Sequence, residues 1–129
     1  MNRLILSIMT LISGSLCNCG QQNFKTIDAD EFETAISSDS VQLLDVRTVE
    51  EYNEAHISAD SVINIDELQP DFMTKARKVL DKGKTVAVYC RSGRRSADAA
   101  KKLSDEGYKV IDLKGGILEW QERGKKTCK

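Results

Sequence analysis

The chain has 129 residues, 40% of them hydrophobic and 30% charged, with a formal net charge of -1. That is the size of one ordinary globular domain with a single core, so any chemistry must come from one site on one small fold. Near-neutral charge with scattered lysines leaves no footprint for a nucleic-acid partner, and one proline with eight glycines argues against disorder.

Residues 1–23 differ in character from the rest. Arg3 precedes the apolar run LILSIMTLI, Leu4 to Ile12, and the small, polar SGSLCNCG follows it. This is the order of regions in a secretory signal peptide, and the run is too short to span a bilayer as a stable helix. Residues 1–23 are therefore read as a signal peptide or lipoprotein leader with a short linker, and residues 24–129 as the working domain. Cys17 and Cys19 lie where a bacterial lipoprotein is cut and lipidated. Leu16 suits a lipobox ending at Cys19, whereas Asn18 departs from its usual small residue. Cys19 is then either lost on cleavage or the lipid-bearing first residue, with the mature protein exported to a bacterial periplasm or held on a membrane as a lipoprotein. A Cys-x-Cys metal site would need further ligands, but there is no second such pair and the sole histidine, His56, is distant, so no metal is expected.

The domain then alternates. DADEFETAISS begins with Asp28 and Glu31 in capping-box spacing and puts Phe32, Ala35 and Ile36 on one face, as a helix does. VQLLDV, Val41 to Val46, suits a buried strand, and Thr48 with Glu51 opens a short helix over TVEEYNEAH. SVINI is a second strand, Pro70 starts a helix that Gly83 ends, and KTVAVYC is the next strand. RRSADAAKKLSDEG is a helix closed by Gly107, YKVIDL a strand and GILEWQERG a last helix. Strands separated by helices imply right-handed crossovers and an α/β fold: a mostly parallel sheet of about five strands with helices on both faces. In such sheets the site lies beyond the carboxyl ends of the strands.

Cys90 falls at such an end, followed by Arg91, Ser92, Gly93, Arg94 and Arg95. A turn into a helix there aims backbone N–H groups and the helix dipole at the space before the sulfur, which favours thiolate over thiol. The three arginines add positive charge that draws anions in. Gly93 permits the positive φ that curves successive amides into an anion-binding nest. The domain's two cysteines, Cys90 and Cys128, are too few for a disulfide scaffold, so Cys90 reads as a working thiol.

CRSGRR resembles the active-site loop of the rhodanese, or thiosulfate sulfurtransferase, family. LLDVRTVEEYNEAHI, Leu43 to Ile57, is similar to that family's N-terminal signature, and LKGGILEW, Leu113 to Trp120, to its C-terminal one. Ala55 stands where the family has glycine before the histidine, and SADSVIN replaces its usual Gly-Ala-x-Asn after Ile57. The resemblance spans about Phe24 to Gly124 and implies the three-layer rhodanese-like fold. It implies Cys90 as nucleophile, the loop Arg91, Ser92, Gly93, Arg94 and Arg95 as substrate-binding, and Asp45, Arg47 and His56 as supporting residues. It makes His56 an ordering residue that hydrogen-bonds nearby backbone rather than a general base, and Gly115, Gly116 and Trp120 turn and packing residues.

Related phosphatases on the same fold carry Cys-x5-Arg. Here the fifth residue after Cys90 is Arg95 and the sixth Ser96, a tighter loop suited to one added sulfur atom. The implied reaction is ping-pong: a thiosulfate-like anion gives Cys90 a sulfane sulfur, and a thiol acceptor, such as a thioredoxin-like protein, or cyanide removes it. The expected enzyme is a monomer that calls for no cofactor, no metal and no nucleic acid, tied to a membrane only in the alternative where Cys19 is kept and lipidated. Two other readings stay open: a non-catalytic binding module on the same fold, and a thiol-redox protein pairing Cys90 with Cys128.

Overall fold

The computed structural model describes residues 23–129. The leader, the lipobox and Cys19 lie outside the described residues. In chain order come β1 (Lys25–Ile27), α1 (Ala29–Ile36), β2 (Val41–Asp45), α2 (Val49–Glu54), β3 (His56–Ile57) and β4 (Val62–Asn64). They are followed by α3 (Phe72–Val79), β5 (Thr85–Tyr89), α4 (Arg94–Asp105), β6 (Val110–Leu113), α5 (Gly116–Glu122) and β7 (Thr127–Cys128).

Five of the strands form one sheet in the order β1-β6-β5-β2-β4, every pairing parallel. The alternation of strands with helices leads to this α/β architecture because each parallel step needs a crossover, and the crossovers cover both faces. One face packs Phe72 and Ala76 of α3 and Ala99, Ala100 and Leu103 of α4 against Leu44, Val86 and Val88. The other packs Ala29 and Phe32 of α1 and Ile117 and Trp120 of α5 against Leu43, Ala87, Tyr89 and Leu113. Leu43 and Leu44, like Val86 to Tyr89, are buried on alternate faces, which is why β2 carries adjacent leucines and β5 reads as an apolar run rather than an alternating one.

The helix starts follow their caps. Asp28 accepts the Glu31 amide at 2.9 Å, and Thr48 and Glu51 form a full capping box on α2. Elsewhere the chain departs from the sequence pattern. Pro70 sits in a turn closed by the Phe72 amide on Gln69 O, so α3 begins two residues beyond the proline, where that position of a turn suits its fixed φ. His56, expected at the end of α2, instead belongs to β3, which pairs antiparallel with β7 in a separate two-stranded sheet. The edge strand β1 was likewise absent from the sequence pattern.

Central β5 and its neighbours β2 and β6 end on the same side of the molecule. The chain segments leaving them are brought together there, and the site is built from these segments.

Candidate active site

Strand β5 delivers Cys90 to its carboxyl end, and the turn Arg91 to Gly93 carries the chain into α4. The thiol is 1% exposed. The Gly93 amide donates to Cys90 Sγ at 3.1 Å, and Sγ lies 3.4 Å from Ser96 Oγ, whose hydroxyl in turn donates to Gly93 O. Gly93 is the N-cap of α4 at φ +115°, the left-handed region that a side chain resists, and this conformation turns its amide back onto the sulfur. Hydrogen bonds of this kind strengthen when the sulfur is anionic.

The loop is held from outside by α5. Ile117 N–H donates to Cys90 O at 2.9 Å and Leu118 N–H to Arg91 O at 3.1 Å. This approach requires Gly116: a Cβ there would fall 2.6 Å from Cys90 O and closer still to Arg91 O. The glycine pair after β6 is therefore a docking surface for the thiol loop. Trp120 packs edge-on to Phe32 in the core beneath it.

The three arginines separate into two kinds. Arg91 and Arg94 are exposed and, among the described residues, make no ion pair. Arg95 is turned aside: its guanidinium binds Glu51 through Nη1–Oε1 at 2.7 Å and Nη2–Oε2 at 2.9 Å. Arg95, expected to bind substrate, therefore clamps α4 to α2, though its charge still acts on Cys90. The Arg95 hydrogen bond, outweighing the opposing effect of burial, holds the Glu51 carboxyl down at about 2. Glu51 accordingly contributes its full stabilisation above the ordinary glutamate value of 4.5, and that stabilisation is lost as the pH falls toward about 2. Glu51→Gln should cost about 1–3 kcal/mol at pH 7. Thermal melts of the two proteins should differ clearly at pH 7 and converge as pH drops through that window. A gap that is constant with pH would detach the stabilisation from the Glu51 charge.

Asp45 and Arg47 form a buried pair: Nη2–Oδ2 is 2.7 Å and Nε–Oδ1 3.0 Å. Arg47 also donates to Ala55 O at 2.7 Å and lies over the Tyr89 ring. Burial, and then the Asp45 charge, push the Tyr89 phenol well above its usual range, so it stays neutral and accepts the Ile57 amide at 3.0 Å. This network ties the turn after β2 to β3 and the underside of β5. His56 Nδ1 lies 3.0 Å from Tyr52 O and its ring stacks on the Tyr52 ring, while Nε2 faces Cys128 Sγ at 3.4 Å. Both ring nitrogens are thus committed away from Cys90.

Four residues that sequence reasoning did not place in the site belong to it. Glu51 was visible only as a capping residue, and its clamp on Arg95 spans 44 positions. Asn64 donates to Asp45 O and Arg47 O, fixing the turn between them. Ser96 touches the sulfur. Asp112, at the end of β6, accepts from Thr26 Oγ1 at 3.1 Å, and burial pushes its carboxyl above the usual carboxylate range, with the Ser96 and Thr26 hydroxyls opposing that rise. An Asp112 in an apparently ordinary strand carries no sequence signal of this role.

A shallow cleft of about 210 Å³ beside the loop is lined by Arg47, Glu54, Ala55, Arg91 and Leu118 among others. The larger groove, about 760 Å³, runs past the starting ends of β2 and β5 at Val41 and Lys84, and neither a cysteine nor the histidine lines it. Cys90 and Cys128 are both free thiols. Cys90 packs into the apolar cluster on the α3 and α4 face, whereas β7 pairs with β3, whose Ile57 packs into the opposite face. The sheet separates them, so the dithiol pairing is not made.

A buried sulfur that takes a hydrogen bond from a loop amide, with two exposed arginines close by in the chain, suits nucleophilic attack on a small anion. Residues 28–123 match the family described as Rhodanese-like domain. The chain is 36% identical over 76 residues to the thiosulfate sulfurtransferase PspE of Escherichia coli, across 59% of this chain and 70% of that protein. It is 33% identical over 100 residues to a sulfurtransferase of Allochromatium vinosum, across 76% and 89% respectively. A rhodanese-related protein from Thermoplasma volcanium superposes with a TM-score of 0.70 at 31% identity, covering 81% of this chain and 98% of that one. The chain spans 49% to 67% of the length of three further curated relatives.

Proposed function

Because this chain belongs to the rhodanese-like domain family, we propose that it is a sulfurtransferase that carries a sulfane sulfur on Cys90. The observation that carries this reading is the buried Cys90 sulfur, with the Gly93 amide at 3.1 Å and the exposed Arg91 and Arg94 on either side of that glycine in the chain. The Cys90 thiolate attacks the outer sulfur of thiosulfate, the S–S bond of the donor breaks, and sulfite leaves with the bonding electrons. Cys90 then holds a persulfide, whose terminal sulfur anion is stabilised by the loop amides. Cyanide or a thiolate attacks that terminal sulfur, and the Cys90 thiolate is restored as leaving group. Atoms and charge balance in both halves, and neither calls for a metal or an organic cofactor.

Each half-reaction occupies the same small cradle, so the two substrates exclude one another. Steady-state thiosulfate-to-cyanide kinetics should give parallel double-reciprocal lines. Intersecting lines would mean a ternary complex and would count against a sulfur held on the enzyme.

Arg91 and Arg94 act before the chemistry, by raising the local concentration of an anionic donor. Arg91→Ala and Arg94→Ala should each raise the apparent KM for thiosulfate roughly threefold to tenfold with kcat little changed, and the effect should shrink as salt rises. Donor dependence unaltered in both variants would assign these side chains to the solvated surface.

For location, we propose export, on the strength of Arg3, the apolar Leu4 to Ile12 run and the small residues before Cys19. Intact mass and detergent partitioning of the native protein should show either loss of Cys19 with the leader or a lipid on it. A full-length chain beginning at Met1 in the cytoplasm would defeat the proposal. The acceptor proposed is a thiol, on a small molecule or on a thioredoxin-like protein, and the working unit a monomer.

A further inference from the structure

The C-terminal tail does not hang free. Lys126 O accepts both the Trp120 indole N–H at 2.9 Å and the Ser58 amide at 3.1 Å, and β7 then pairs with β3 so that Cys128 lies directly opposite His56. Cys128 Sγ is 3.4 Å from His56 Nε2, and the thiol is exposed. Tyr52 O can only accept, so the 3.0 Å contact at Nδ1 places the proton of a neutral imidazole there. Nε2 is left as a bare acceptor aimed at the thiol. The Tyr52 ring, 3.9 Å away and 3° from parallel, fixes the imidazole plane. A nucleophile, a base and a group orienting the base thus occur in order, on the side of the sheet away from Cys90.

We propose that Cys128 and His56 form a second, solvent-facing thiol centre that exchanges with small disulfides and becomes a mixed disulfide. His56 Nε2 takes the Sγ proton as the sulfur attacks one sulfur of the disulfide. The S–S bond of the small molecule breaks, and its other half leaves as a thiolate, which recovers the proton from His56. The net change is one protein thiol and one disulfide converted to one mixed disulfide and one free small thiol, with no further oxidant. Lys126 and Lys129 flank the thiol and, among the described residues, form no ion pair, whereas Lys125 is held by Asp30 and Glu33. The fitting partner is therefore a disulfide bearing carboxylates.

The probe is glutathione disulfide, applied to the full chain, with cleavage after Glu122 so that mass spectrometry follows the peptide 123–129. The comparison is a free peptide of the sequence RGKKTCK, residues 123–129, which has the same side-chain charges and no histidine. An ordinary thiol is only a few per cent ionised near neutral pH, so an aligned base should speed the reaction of Cys128 on the order of tenfold over the free peptide. His56→Asn should bring the rate down to that of the peptide, and Cys128→Ser should abolish labelling of this peptide while leaving thiosulfate turnover intact. Equal rates in protein and peptide overturn the proposal, even should His56→Asn fail to fold. An undiminished rate in a folded His56→Asn protein overturns it as well. Neither result bears on sulfur transfer at Cys90.

Discussion

Cys90→Ser should lower thiosulfate-to-cyanide turnover by at least about a thousandfold, the scale on which loss of a covalent nucleophile is felt. The substitution changes one atom at a site 1% exposed, and the serine hydroxyl can still accept the Gly93 amide and meet Ser96. Stability should therefore stay within about 1 kcal/mol of the parent, so the loss is chemical rather than structural. An alcohol cannot carry a sulfane sulfur in a form that cyanide or a thiol will remove. Residual turnover within tenfold of the parent would take Cys90 out of the mechanism.

The second large effect concerns the size of the cradle. Inserting one glycine between Ser92 and Gly93 turns Cys-x4-Arg into Cys-x5-Arg while leaving α4 and the Arg95–Glu51 clamp to form as before. The amide that now sits 3.1 Å from Sγ is then carried away from it. Removing one donor of this kind costs about a hundredfold to a thousandfold in related anion-stabilising sites, and sulfur transfer should fall by that order. The wider loop approaches the geometry that holds a tetrahedral phosphate, but the Glu51 carboxyl beside it is tied to Arg95 and held ionised, so it gives a leaving group no proton and aryl phosphate hydrolysis should be weak in the variant. The parent protein should show none above a Cys90→Ser background. If the parent hydrolyses aryl phosphates through Cys90 as fast as it uses thiosulfate, loop length does not separate the two chemistries.

Legibility in the sequence followed the physics of each feature. β2 and β5 could be read because strands buried on both faces carry consecutive apolar residues, Leu43 with Leu44 and Val86 to Tyr89, and the thiol loop because a cysteine, a glycine and arginines follow the second of these runs directly. The edge strand β1, three residues long and largely exposed, has neither periodicity nor length to show. β3 and β7 are two residues each and exist only because the tail returns to pair with the segment after α2. For the same reason nothing local announces that Cys128 lies opposite the only histidine. Arg95 looked like its neighbours in a cationic loop, and what distinguishes it is a carboxylate 44 positions earlier in the chain. Gly116 read as a turn residue, whereas its lack of a Cβ is what lets α5 hold the loop carbonyls. Local pattern pointed to Cys90 and Gly93, whereas the contacts through which Glu51, Asn64 and Gly116 brace their surroundings became visible only in three dimensions.

The most direct measurement is the intact mass of the purified protein after brief exposure to thiosulfate and removal of excess donor, followed by peptide mapping. The expected result is a gain of one sulfur atom, located on Cys90, absent in Cys90→Ser and lost again on addition of cyanide with release of thiocyanate. A protein that turns over thiosulfate yet gains no sulfur, or gains it at another residue, would contradict a persulfide on Cys90.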